Sequence, residues 1–222
     1  DLYLNLVKKR LSYFVLSFPY SNVGFAQIFP AENAECVCQA LKQIFEYIGG
    51  VPKRIVFDNA TGVGRRTCEI VRTTELFGRF AAHYDFAYTF CNPNAGHEKG
   101  NVEKKVGFIR SNLFVPLPNV MNIASYNKTL LARCDVLAER EHWKRGEVER
   151  ELFVEDEFAL IGLPKKSFDV VRYVKAKANK QGKVSVDGPH YYSTDPALAG
   201  RELTIATVSY THLRAHETKA NL

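Results

Sequence analysis

A layered α/β domain followed by a small all-β unit is the fold class this sequence predicts, on three observations. Strand-like and helix-like apolar periods alternate through Leu113, Pro116 and Pro118 interrupt them, and from Phe168 onward the pattern shortens to strands parted by turn residues. Lys8–Phe18, rich in Leu, Tyr, Phe and Val, and Val23–Phe29, closed by Pro30, read as strands around a Pro-Tyr-Ser-Asn turn. From Asn33, a predicted N-cap, apolar residues recur at Val37, Leu41, Ile44, Phe45 and Ile48 before Gly49-Gly50 stops them, as in an amphipathic helix. After Pro52, Arg54–Ala60 is a short apolar strand running into a polar turn. Thr61–Thr67, rich in Gly and Arg, reads as a loop. Thr74–Tyr84 is a second helix with Leu76, Phe77, Phe80 and Ala81 on one side. Phe86–Asn94 is a strand ending in a turn, and His97–Leu113 is a third helix striped by Val102, Val106, Ile109 and Leu113.

An RNase H-like fold has this order of elements, so residues 1–115 are predicted to form such a mixed sheet with flanking helices. Residues 116–167 form a helical connector. One helix runs near Ile123–Glu141, with Tyr126, Leu130, Cys134 and Leu137 as its apolar stripe, and another near Val148–Ile161. Residues 168–207 are predicted to be a small β-barrel that contacts DNA. Its strands fall at Val170–Ala176, Lys183–Val186, His190–Thr194 and Leu203–Thr207, with hairpin turns at Gln181-Gly182 and Asp187-Gly188. A unit of that size gains stability by leaning on a neighbour. Val208–Leu222 break the rhythm and resemble a translated sequencing-adapter tail. They are set aside as non-native, together with the zinc-compatible i, i+4 spacing of His212 and His216.

Composition narrows the function classes. With 222 residues, 46% hydrophobic and 12% aromatic, the chain is long and apolar enough to bury a core, which argues against disorder. Its longest apolar stretches, such as Tyr13–Phe18 and Phe158–Leu163, are too short to span a bilayer, and no secretory leader opens it. Five cysteines, with no Cys-x-x-Cys pair, read as buried or half-buried thiols in a reducing cytoplasm. The net charge of +6 suits an anionic partner, nucleic acid first. The opening on Asp1, without Met, is that of a fragment.

Two acidic residues carry the candidate chemistry. Asp58 stands at the carboxyl end of an apolar strand, where sites collect in α/β folds, and Asn59 is placed to orient it. The plain alternative is a turn aspartate. Glu103 lies on the third helix on a face shared with Lys99 and Arg110, opposite the apolar stripe. In isolation that face equally suits solvated ion pairs. His83 and His97 read as structural histidines, Trp143 as local packing, and Gly62–Arg66 lacks the spacing of a phosphate loop.

Together these features resemble the retroviral-integrase superfamily of DDE recombinases, and most closely the IstA-type insertion-sequence transposases. The resemblance spans about residues 1–207. It rests on residues 17–22 (SFPYSN), 44–62 (IFEYIGGVPKRIVFDNATG), 80–86 (FAAHYDF) and 90–116 (FCNPNAGHEKGNVEKKVGFIRSNLFVP). Within it, Asn92, Pro93, Gly100 and Glu103 form the most specific motif. The resemblance implies that Asp58 and Glu103 are the second and third catalytic carboxylates and metal ligands, with Glu98 the competing acid. The first carboxylate of the family falls upstream of position 1, and Asp1 is a poor substitute because its neighbours do not match.

The resemblance further implies two Mg²⁺ or Mn²⁺ ions per site, double-stranded transposon-end and target DNA, a homo-oligomer and an ATPase helper protein. Divalent ions of this kind prefer oxygen ligands. A pair of them, roughly 3.5–4 Å apart, stabilises both the attacking and the leaving oxygen of a phosphodiester. Arg65, Arg66, Lys99, Lys104, Lys105 and Arg110 are the predicted DNA-binding residues, which contact phosphates and set register. The expected activity is cleavage and strand transfer of DNA. The alternatives are a catalytically dead DNA-binding remnant and an RNase H-like nuclease.

Overall fold

The computed structural model describes residues 2–58, 63–67, 70–91, 96–186 and 190–207, with backbone alone at 65–67, 70–72, 96–102 and 190. The chain divides into two compact units, Asp1–Phe168 and Asp169–Leu222. The first unit opens with β1 (Leu2–Leu4), β2 (Val7–Lys9), β3 (Ser12–Ser17), β4 (Gly24–Phe29), α1 (Ala34–Ile48), β5 (Gly50–Val51) and β6 (Arg54–Phe57). It continues through β7 (Gly64–Thr67), β8 (Ile70–Thr73), α2 (Glu75–Tyr84), β9 (Ala87–Phe90) and α3 (Gly96–Leu113). It closes with β10 (Asn119–Val120), α4 (Ile123–Ala138), α5 (Glu149–Phe158) and β11 (Ile161–Gly162). The architecture is mixed α/β. The β3–β4 pair is antiparallel, with Ser12 opposite Phe29, whereas β6 and β9 run parallel, with Arg54 opposite Ala87.

Local chemistry sets the helix ends. Asn33 accepts the Cys36 N–H at 2.9 Å, and Gly49 leaves α1 at φ +74°, a conformation an L side chain resists. Thr74 caps α2 in the same way through the Phe77 N–H. Leu41, Ile44 and Phe45 of α1 are fully buried and meet Phe77, Phe80 and Ala81 of α2 in an aromatic core. Phe45 lies 6.1 Å from Phe80 and 5.8 Å from Phe86, and Phe57 meets Phe77 edge-on at 5.3 Å.

The second edge of β4 is closed by a side chain. Asn127 of α4 accepts the Ile28 N–H at 2.8 Å and donates to the Ile28 carbonyl at 3.0 Å, replacing a neighbouring strand for one residue. Gln27 donates to the Asn127 carbonyl at 2.9 Å. The buried face of α4 is therefore Asn127, Leu130, Leu131, Cys134 and Ala138, rotated from the predicted stripe, in which Tyr126 and Leu137 are only half-buried. Asn127→Leu strands two buried backbone groups at a cost of about 1–3 kcal/mol each. Urea denaturation is expected to show the midpoint falling at constant slope.

Two predictions need correction. The Gly/Arg-rich stretch expected as a loop enters β7, which pairs antiparallel with β8 from Gly64 opposite Thr73 to Thr67 opposite Ile70. The β-branched run Ile70–Thr73 supplies a pairing partner that overrides the loop-like composition. In the second unit, β12 (Arg172–Lys177) pairs with β15 (Glu202–Thr207), while β13 (Lys183–Val186) pairs with β14 (His190–Ser193). No ladder joins the two pairs, so the described residues make two antiparallel ribbons and not a closed barrel. Gly182, at φ +67°, sits where an added Cβ would come within 3.1 Å of the Pro196 backbone. The suspected tail, 208–222, lies outside the described residues.

Cys36, Cys38 and Cys134 are buried free thiols, Cys91 is buried, and Cys68 lies outside the described residues. Burial pushes both Cys36 and Cys134 up to about 11. A folded pKa above the unfolded value favours the protonated thiol. The contribution is complete below pH 9.0, the unfolded value, and is lost as pH rises toward about 11. Alkylation of both thiols is therefore expected to be slow in the native protein at mildly alkaline pH and fast in urea. Equal rates would contradict their burial.

Candidate active site

Strand alternation positions Asp58. Along β6, Ile55 and Phe57 face the aromatic core while Arg54 and Val56 are exposed, so the next residue on the open side is Asp58, itself exposed. The Cys91 N–H donates to the Phe57 carbonyl at 2.8 Å, carrying the parallel β6–β9 pairing to the strand ends. Asp58 thus stands at the carboxyl end of a parallel pair, next in the chain to Phe57, whose ring packs with Phe77 and Phe90 in the core.

Glu103 is positioned by α3. Ile109 and Leu113 are buried and Val106 is half-buried, while Glu103, Gly107 and Arg110 are exposed, an i, i+4, i+7 series along one open face. Lys104 is exposed beside it. The helix packs on β3 and β4. Among the described residues there is no group of three or more His, Cys, Asp or Glu arranged to hold a metal. The side chains of Arg65, Arg66, Glu98, Lys99 and His97, and all of Asp1 and Asn59, lie outside the described residues.

Lys105 requires a correction. Predicted to contact phosphate, it is only 5% exposed, and its ammonium lies 3.4 Å from Oε2 of Glu149, which is 1% exposed. Position 105 falls one turn before Ile109, on the buried face, and an acidic partner far along the chain is what makes a lysine tolerable there. Burial lowers its pKa; the Glu149 charge opposes that shift and Arg140 adds to it.

Trp143 is a second correction. It is not buried by local packing: it is 78% exposed, with its ring stacked only loosely on the adjacent His142 at 6.0 Å. His142, unremarked in the sequence, is buried, and its Nδ1 accepts the N–H groups of Lys144 at 3.2 Å and Arg145 at 3.1 Å, holding the loop that presents the tryptophan. His83 is structural as predicted: its Nε2 lies 2.8 Å from the Lys166 carbonyl. Sequence reasoning also missed Glu149, whose only local signal is an acidic residue in the first turn of α5.

No family model matches the chain. It is 28% identical to the transposase for insertion sequences IS1326/IS1353 of Pseudomonas aeruginosa, over 90% of this chain and 39% of that protein. It is 27% identical to the transposase for insertion sequence element IS21 of Pseudomonas aeruginosa, over 86% of this chain and 50% of that protein. A transposase of Aminobacter aminovorans is 30% identical over 70% of this chain and 31% of its own length. The chain thus spans half or less of these relatives.

A chain in the cryo-EM structure of the simian T-cell lymphotropic virus intasome, solved with PP2A regulatory subunit B56 gamma, aligns with TM-score 0.50 at 12% identity. That alignment covers 90% of this chain and 66% of the other, a likeness of fold. No described helix is long and apolar enough to cross a membrane. The chain is thus similar in sequence to several insertion-sequence transposases and similar in fold to an intasome chain.

Proposed function

We propose that this chain is most of the catalytic core of a DDE transposase, which cleaves transposon-end DNA and joins it to target DNA with divalent-metal assistance. The observation that carries the reading is the pair of exposed carboxylates, Asp58 at the carboxyl end of β6 and Glu103 on the open face of α3. Both offer hard oxygen donors, the type Mg²⁺ and Mn²⁺ prefer, and neither belongs to the buried core. When bound, two such ions would activate an oxygen nucleophile and stabilise the leaving oxygen. Asp58 and Glu103 would hold them, Asn59 would orient Asp58, and a third carboxylate would come from a segment preceding Asp1.

The strand pattern supports an RNase H-like sheet. Among the described residues β3 pairs only with β4, and β6 only with β9, so β3 and β6 each keep an unpaired edge there. β1 already runs antiparallel to β2, with Leu2 opposite Lys9, just before the chain enters β3. A strand continuing β1 upstream would lie along β3, and its other edge would be available to β6. That strand would carry the first carboxylate.

Lys104 and Arg110, exposed on α3, would contact DNA phosphates, joined by Arg65, Arg66 and Lys99. The two-ribbon unit from Asp169 would add further DNA contact. The assembly would be a homo-oligomer bridging two element ends, served by an ATPase helper.

The deciding assay incubates the chain, extended through its upstream reading frame, with pre-cleaved end DNA and Mn²⁺. Strand-transfer products are expected. Cutting without joining would mark an RNase H-like nuclease, and binding without either would mark a remnant that has lost its chemistry.

A further inference from the structure

Glu103 and Lys105 lie two residues apart on α3 but on different faces, the first exposed and the second buried. The lysine stem crosses Gly24 at the start of β4, where an added Cβ would meet Cδ at 3.0 Å and Cγ at 3.1 Å. Beyond it the ammonium reaches Glu149 Oε2 at 3.4 Å. The other carboxylate oxygen accepts Arg140 Nη2 at 2.7 Å, Arg140 Nε at 2.9 Å and Asn22 Nδ2 at 2.5 Å. Arg140 in turn lies 3.8 Å over the ring of Phe108, back on α3. One buried carboxylate therefore gathers the turn after β3, helix α3, the loop after α4 and the first turn of α5.

We infer that Glu149, acting through Lys105, is a positioning residue that fixes the rotation of α3 and so aims Glu103. This rests on the reading of Asp58 and Glu103 as metal-holding carboxylates. Apolar contact through Ile109 and Leu113 is non-directional and tolerates small rotations. At the roughly 5–6 Å outer radius of a helix, a rotation of about 20° carries a side-chain tip about 2 Å. A functional ligand must be held within about 0.5 Å. A directional ion pair near the start of the buried stripe supplies that constraint. In some proteins a buried polar or ionic group fixes register while adding little stability.

The test compares four variants with wild type, in the chain extended through its upstream reading frame. Lys105→Met combined with Glu149→Gln removes the ion pair while keeping volume and the acceptor for Arg140 and Asn22. It is expected to retain the melting temperature and DNA affinity, to bind Mn²⁺ alone roughly 10–100-fold more weakly by calorimetry, and to slow joining by a similar factor. Lys105→Arg preserves the pair and is expected to restore both. Wild-type Mn²⁺ affinity in the folded double variant overturns the inference.

If the double variant does not fold, Asn22→Gly decides, because Asn22 sits at φ +60°, where glycine is unstrained. Weakened Mn²⁺ binding in that variant supports the inference and unchanged binding overturns it. Glu103→Gln run in parallel separates the two readings. If it joins DNA normally, the assignment of the site has failed; if it is inactive while the double variant is normal, only the positioning role has failed.

Discussion

Asp58→Asn and Glu103→Gln, each in a chain carrying its upstream segment, are expected to abolish strand transfer while leaving DNA affinity intact. Each change keeps side-chain shape and removes the negative charge that a divalent ion requires. The loss is expected to exceed the roughly 10–100-fold typical of residues that merely support a ligand. DNA affinity survives because the proposed phosphate contacts come from Lys104, Arg110 and the other basic residues. Both acids are exposed, so neither change opens a cavity. Thermal stability is expected to stay near wild type. Gel-shift titration beside a joining assay reads both halves, and a joining-competent variant would remove that residue from the site.

Glu149→Ala is expected to have the largest effect on stability. It leaves Lys105, 5% exposed, without its counter-charge and beside the Arg140 guanidinium. Removing one partner of a buried pair costs about 3–5 kcal/mol, whereas replacing both is often neutral. For a chain of this size the melting temperature should fall on the order of 10 °C. The double variant Lys105→Met/Glu149→Gln should melt near wild type. Equal losses in the two would mean that packing, and not the uncompensated charge, sets the cost.

The contrast between these residues explains what the sequence could reveal. Asn33 and Gly49 mark the two ends of α1 by local chemistry, so that helix was legible almost to the residue. The exposed face of α3 was legible too, because Glu103, Gly107 and Arg110 follow helical spacing. Lys105 was not. Its fate depends on Glu149, whose approach is made by tertiary folding and leaves no trace in local spacing. Asn127 escaped for the same reason: its bonds to Ile28 join segments remote in sequence. β7 was hidden because glycine and arginine suggest a loop while strand pairing is decided by the partner, Ile70–Thr73. The turns of the second unit could be anticipated from Gln181-Gly182, but whether four strands close a barrel depends on non-local pairing.

The most direct measurement is a crystal structure of the chain with its upstream segment, grown with DNA and Mn²⁺. The account predicts metal density held by side-chain oxygens of both Asp58 and Glu103, in a pair of ions roughly 3.5–4 Å apart. Carboxylates too distant to share that pair, or metal held by other residues, would contradict it.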